Sequence, residues 1–401
     1  MSGKIRIRMY NVGFGDCFLV SVPARPRTLQ ILFDCGSHAA GPGPRKIEDV
    51  VQDVIADVST KGKARIDLVV ATHRHQDHVS GFQSELWSKV EVGEVWMPWT
   101  EDPEDPEARK ILETQSRLAV HLESTMLALG LADEVIGVAR NSLTNANAMR
   151  TLHDGFLGQP RRRFLPPTVR AKCSFTPAHL PGIKVHILGP PRDPDVIRDM
   201  DQPAAESYLR LQVAKGATST EAMLPFRSNW VVSETVFSAE RGYLALKGSE
   251  IGRIINLGKG EEFELAVALD KAVNGTSLMI MLQIGRSYLL FPGDAQWGTW
   301  SAALNDPVWR ALLARTTFLK VGHHGSHNAS PKEFVEQVLG NEFLADVSTR
   351  PMSRWKYIPK RELLVALKGR GGKVARSDKA EADPAEFKRV EDRYVDVSIP
   401  M

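Results

Sequence analysis

Cysteine is scarce in this chain of 401 residues: Cys17, Cys35 and Cys173 form no even set and no C-x-x-C pair. That excludes a disulfide framework and points to a reducing compartment. Long apolar runs are missing too, none approaching the ~18 residues of a membrane span. The opening Met-Ser-Gly-Lys-Ile-Arg-Ile-Arg lacks the apolar core of a secretion signal, so a soluble, cytoplasmic protein without a membrane partner is expected. Neither charge sign dominates: the net charge of +3 is too small to argue for nucleic acid by itself. No internal repeat or low-complexity tract is present, which argues against a solenoid. What remains, 43% hydrophobic and 25% charged residues, is ordinary for a globular protein with one large core or two smaller ones.

Against this plain background one stretch stands out. Residues 67–81 read Asp-Leu-Val-Val-Ala-Thr-His-Arg-His-Gln-Asp-His-Val-Ser-Gly. Leu68 to Ala71 reads as a buried strand, and it runs into His73, His75, Asp77 and His78, four metal-ligand side chains in six residues. Neutral imidazole and carboxylate suit zinc and similar divalent ions. On a continuing strand His73, His75 and Asp77 would share a face and His78 would point away, so a loop is needed to bring all four to one site or to two adjacent ones.

The flanking pattern is strand-rich. Residues 4–10 alternate basic and apolar as an edge or half-exposed strand does, and Asn11 to Cys17 reads as a hairpin turn before Phe18 to Val22. Residues 29–33 form another strand ending in Asp34-Cys35-Gly36, and Ile47, Val50, Val51, Val54 and Ile55 have helical spacing. Further along, strands are expected at 92–99, 183–188, 277–282, 288–291, 318–321, 345–348, 373–376 and 394–397. Helices are expected from Asp105 to about Leu129, near Leu143 to Leu152, and from Lys360 to Lys368. Arg161-Arg162-Arg163, between prolines, reads as a basic loop and a solvated charge run. Residues 192–260, with a helical stretch after Gln202, read as an insertion beside the active-site face of a single domain spanning 1–401.

His-x-His-x-Asp-His after a buried strand resembles the signature of the metallo-β-lactamase superfamily, whose members are mostly two-metal hydrolases. V-G-F-G-D-C, L-F-D-C-G and L-K-V-G-H-H-G-S at 319–326 resemble the ComEC-type branch, here without its membrane channel, and P-G-D at 292–294 resembles the superfamily's strand end with a bridging Asp. Phe14 stands where that branch commonly has Gln, and Ile358 where it often has His. The resemblance implies an α/β fold, the αββα sandwich of two mixed β-sheets flanked by helices. It implies two divalent metal ions, zinc first and manganese as the alternative, bridged by Asp294 and a hydroxide. His73 and His75 are expected to hold the first ion, and Asp77, His78 and His323 the second. His324 is expected within reach of substrate or of metal-bound oxygen, and Asp34, with Asp16 beside it, to orient the histidine loop. Asp77, His324 and Asp34 are thus the expected catalytic set. A third histidine found in other branches is missing before Ser277, where this chain offers Asn274. His121, His153, His179 and His186 match no motif loop and read as surface or core residues, and His327 as surface or flanking the site. Arg354, Lys356 and Tyr357 form an aromatic and basic loop suited to a phosphate. The branch favours phosphodiester hydrolysis of DNA or RNA, with hydrolysis of a small ester, lactone, lactam or cyclic nucleotide as the alternative. A metal-binding interaction module without activity is the third reading.

Overall fold

The computed structural model describes residues 3–128, 141, 145–197, 199–203, 205–208, 262–328, 330–352, 357–378 and 382–401. The alternating apolar pattern of the first half builds β1 (Lys4–Tyr10), β2 (Phe18–Val22), β3 (Leu29–Phe33), a short β4 (Ser59–Thr60), β5 (Lys63–Val70), β6 (Glu91–Pro98) and β7 (Arg161–Leu165). The second half builds β8 (Ser174–Phe175), β9 (Ile183–Gly189), β10 (Met279–Ile284), β11 (Ser287–Phe291), β12 (Phe318–Lys320), β13 (Leu344–Val347) and β14 (Lys373–Arg376). The chain then returns to the first sheet with β15 (Phe387–Val390) and β16 (Tyr394–Pro400). One sheet has the order β15-β16-β1-β2-β3-β5-β6-β7, with β4 beside β5, and the other β14-β13-β12-β11-β10-β9-β8. Both are mixed: β1 to β3 pair antiparallel and β3, β5, β6 and β7 parallel, while β9 to β11 pair antiparallel and β11 to β14 parallel.

Strand period decides which face meets which layer. Phe18, Val20, Ile31, Phe33, Leu68, Val70 and Trp96 join a core shared with the second sheet, and the stacked rings of Phe33 and Phe291 lie 3.9 Å apart across it. The alternate residues Leu19, Leu32, Val69, Val95 and Met97 join a second core with Val50, Val51 and Val54 of the helix Ile47–Asp57. Trp300 and Ala303 of helix Trp297–Asn305 and Leu363 and Leu367 of helix Arg361–Gly369 pack with the second sheet. Two mixed sheets with flanking helices are the architecture that the resemblance implied. Truncating Phe33 or Phe291 to Ala removes the ring stack between the sheets, at about 3–5 kcal/mol.

Several expectations change. β1 is not an edge strand: β16 and β2 pair with its two sides. Its basic face is half-exposed, running from exposed Lys4 through part-buried Arg6 to buried Arg8, which bonds Asp396 (2.7 Å) and Asp57 (2.5 Å) and lies over the Tyr394 ring. Arg161 to Arg163 is not a loop but the start of β7, in parallel register with β6. The helix near 143–152 is shorter, Ala146–Arg150, continued by one wide turn to Gly155. The helix from Pro106 reaches Ala128, with Asp105 accepting from the backbone amides of Glu107 (2.9 Å) and Ala108 (3.2 Å) at its start. Of the expected insertion, residues 205–208 form no helix, and 198, 204 and 209–260 lie outside the described residues. No helix among the described residues is long and apolar enough to cross a membrane.

Candidate metal centre

The C-terminal ends of the parallel strands β3 and β5, and of β11, β12 and β13, bring their loops to one edge of the sandwich. After Val70 the chain leaves β5, and Thr72 donates through both its amide and its hydroxyl to the two carboxylate oxygens of Asp34, at 2.7 Å each. Asp34 itself turns out of β3 with φ 54°. The chain then makes one helical turn, Gln76–Val79, in which His75 O accepts from the amides of His78 (2.9 Å) and Val79 (3.0 Å). This turn is the loop the spacing required: it brings His78 inward, fully buried, with Nδ1 2.8 Å from Asp34 and Nε2 3.3 Å from Asp294. Close backbone packing permits it. A Cβ on Gly36 would fall 2.4 Å from His78 N, and one on Gly15 2.7 Å from Asp77 O.

The second sheet supplies the facing side chains. Asp294 follows Gly293, whose φ is 57°, and one of its carboxylate oxygens accepts from His323 N at 2.9 Å. His323, His324 and Gly325 all take the left-handed conformation, with φ of 44°, 52° and 76°. Two successive non-glycine residues there are strained, and the strain decides which imidazole enters the site. His324 enters: its Nδ1 donates to Ser348 O at 2.9 Å, leaving Nε2 3.0 Å from Asp77 and 3.9 Å from Asp294. The ring of Phe14 packs over it with centroids 4.1 Å apart. His323, expected as the ligand, instead places Nδ1 3.1 Å from Asn328 and stands outside the tight cluster.

That cluster is Asp77, His78, Asp294 and His324, all buried, with one ligand atom from each lying within 4.8 Å of the others. Its donor set fits a divalent ion on an observation of its own: Asp77 Oδ1 and His78 Nε2 are buried without a hydrogen-bond partner, and so is His75 Nε2. Beside it lies a sparser group. His73 Nε2 is 3.1 Å from His75 Nδ1, which is 2.9 Å from Asn274 Oδ1, and His75 Nε2 is 3.6 Å from Asp270. Asn274, the residue the chain offers before Ser277, thus lies beside His75. His121 is exposed on its helix, His179 lies near Glu94, and His186 meets Ser174 and Gln283; none reaches the site. Tyr357 lines the cavity described below, whereas Arg354 and Lys356 lie outside the described residues.

Burial and charge set the protonation of the metal-free site. Burial, with His78 and His75 alongside, pushes His73 well below the usual imidazole range. Burial also opposes charge on His78, but Asp294, Asp16 and Asp34 outweigh it and hold His78 well above that range. His324 is raised likewise, its burial outweighed by the Asp77 contact and by Asp294 and Asp16. Asp77 and Asp294 are held low despite burial, the first by His324 and His78, the second by His78 and Lys320. Protonated His78 and His324 thus balance the carboxylates, and a metal must displace those protons to bind.

Lys320 carries no ligand role in the sequence reading, yet it anchors the site. It is 2% exposed, ion-paired to Asp16 and 3.5 Å from Asp294. Its signal was present: a lysine inside the apolar strand Phe318-Leu319-Lys320-Val321 needs a buried partner. A cavity of about 270 Å³ opens beside the ligands, lined by His75, Asp77, Asp294 and His323 and also by Phe14, Lys271, Tyr357 and Lys360. His327, on the same wall, is pushed down to about 4 by burial and by His323, Lys271 and Lys360.

No family model matches the sequence, and no curated protein matches it. Among solved structures the chain is similar to Zn(2+)-bound PqqB from Methylobacterium extorquens, at 10% identity and a TM-score of 0.37, over 89% of this chain and 84% of that one. The site itself, two carboxylates and two imidazoles buried around one volume, has a donor set that could hold a divalent ion.

Proposed function

We propose that this chain is a metal-dependent hydrolase of phosphodiesters. The observation that carries the reading is the cavity that joins the buried His/Asp cluster to Lys271 and Lys360. A phosphodiester is anionic, and the ammonium of Lys360, with that of Lys271, which Asp201 pairs at 2.9 Å, favours such a substrate electrostatically in a lining that also holds the acid Asp270. Asp77, His78, Asp294 and His324 would hold one ion, and His73, His75 and Asn274 would hold a second. Divalent ions there supply Lewis acidity and activate water at neutral pH. Asp34 keeps His78 oriented through its Nδ1, and Lys320 keeps Asp294 facing the histidines. At about 270 Å³ the cavity suits a chain end, a single strand or a small diester better than a duplex. Phe14, Tyr357 and Ile358 in its lining favour a second reading, a small ester, lactone, lactam or cyclic nucleotide.

The test is cleavage of single- and double-stranded DNA, of RNA and of bis-p-nitrophenyl phosphate by purified protein with manganese or zinc. Metal-dependent diester cleavage that disappears in Asp77→Ala/His78→Ala supports the reading. Turnover of esters or lactones with none of any diester moves it to the second. Metal binding without turnover of either rejects both.

A further inference from the structure

Away from the metal cavity, β7 ends the first sheet and β8 ends the second, so both present an outer edge that no described strand covers. Between them lies a groove of about 830 Å³ that shares no lining residue with the metal cavity. Its cations are Arg161, Arg162, Arg163 and Lys172, and its acid is Glu94. That acid is already engaged: Trp96 Nε1 donates to it at 2.8 Å, His179 lies at 3.6 Å and Arg163 at 3.8 Å. Arg162 is tied back to Leu152 O (3.1 Å) and Pro160 O (2.6 Å), which holds the edge strand in place. Arg161 and Lys172 are exposed and have no ion-pair partner among the described residues.

We propose that this groove binds an acidic, extended polypeptide segment that adds to the open edge of β7 as a further strand. Free backbone donors and acceptors on an edge pair with another strand, and side chains at alternate positions choose the partner. Arg161 and Arg163 are two apart and so share a face of the strand. Carboxylates directly across an added strand lie within reach of both only when they are also two apart. The partner motif is therefore acid-x-acid in an extended segment, with Lys172 meeting a further carboxylate across the groove. A nucleic-acid strand fits less well, because the aromatic faces here are already taken: Arg163 covers Phe175 at 4.8 Å, and Trp96 is buried.

The probe is a fluorescent ten-residue peptide in which Glu alternates with Thr, titrated into the full chain. Its controls are a peptide with the glutamates in one block, one with alternate amides N-methylated, and a single-stranded DNA oligonucleotide. Roughly tenfold weaker binding of the blocked and N-methylated peptides, and of Arg161→Glu/Lys172→Glu, supports the proposal. Those variants must keep metal uptake and the native circular dichroism. Equal binding of the N-methylated peptide overturns it in favour of bare charge attraction. Tighter binding of the oligonucleotide overturns it in favour of nucleic acid. No binding, with Arg161→Thr/Arg163→Thr self-associating, also overturns it, since the arginines then only guard the edge.

Discussion

The two flanks of the metal centre start from the same histidine loop and end up chemically unlike. On one, Asp77, His78, Asp294 and His324 converge with two carboxylates and two imidazoles, backed by Asp34, Asp16 and Lys320. On the other, His73 and His75 meet an amide, Asn274, with Asp270 behind it. The first is rich in charge and held from two sheets. The second has fewer anionic donors and relies on a neutral one. A divalent ion gains more from the first set, so the flanks should fill in order, the tight one before the sparse one.

Removing Asp294, which touches both the ligands and Lys320, should have the largest effect. Asp294→Ala is expected to lower metal affinity by about 100-fold or more, read as metal content after dialysis. Unchanged content would break the distinction between the flanks. Next, Lys320→Met leaves Asp16 and Asp294 buried without their cation, and a loss of about 3–5 kcal/mol is expected in denaturant unfolding. Adding Asp16→Asn should restore part of it; no recovery would mean that Lys320 acts through packing alone.

The sparse flank can be sharpened directly. Asn274→His supplies the absent imidazole and should tighten the weaker ion by roughly tenfold, while Asn274→Ala weakens it by a similar factor, both by calorimetric titration. Equal titrations for all three proteins would show that Asn274 is not a ligand. The smallest effect is expected at Asp346, the register partner of Lys320 on β13. Its carboxylate is fully buried with no hydrogen-bond partner, and burial, reinforced by Asp383, raises its pKa well above the usual value. A raised folded-state pKa gives stability that is complete below the unfolded value near 3.8 and is lost as pH rises through the folded one. Asp346→Asn should therefore flatten the decline in stability at rising pH and leave metal uptake unchanged. An unaltered pH profile would contradict that account.

Much of this was legible beforehand. The short apolar runs marked strands of both sheets, and the strand ends that carry Asp34, His73 to His78, Asp294 and His324 come to one edge of them. Other readings were not. β1 read as an edge or half-exposed strand because Arg6 and Arg8 alternate with apolar residues; it is half-exposed but not an edge, since β16 covers it and Asp396 neutralises Arg8. Arg161 to Arg163 looked like a loop because charge runs usually are solvated, yet pairing with β6 makes them a strand. His323 looked like the ligand, and His324 takes its place in the cluster.

By itself, then, the sequence determined most of the strands and the set of side chains from which a metal centre can be drawn, because periodicity and composition are local properties, while the layered class was what the resemblance implied. Tertiary structure decided which of them meet. The direction of an imidazole after a strand depends on two or three loop dihedrals, here the left-handed pair at His323 and His324. Those dihedrals are held by contacts far apart in the chain: Thr72 with Asp34, Lys320 with Asp16, His324 with Ser348. No short window contains both ends of such a contact, so only the folded chain could choose His324, and put Asn274 beside His75.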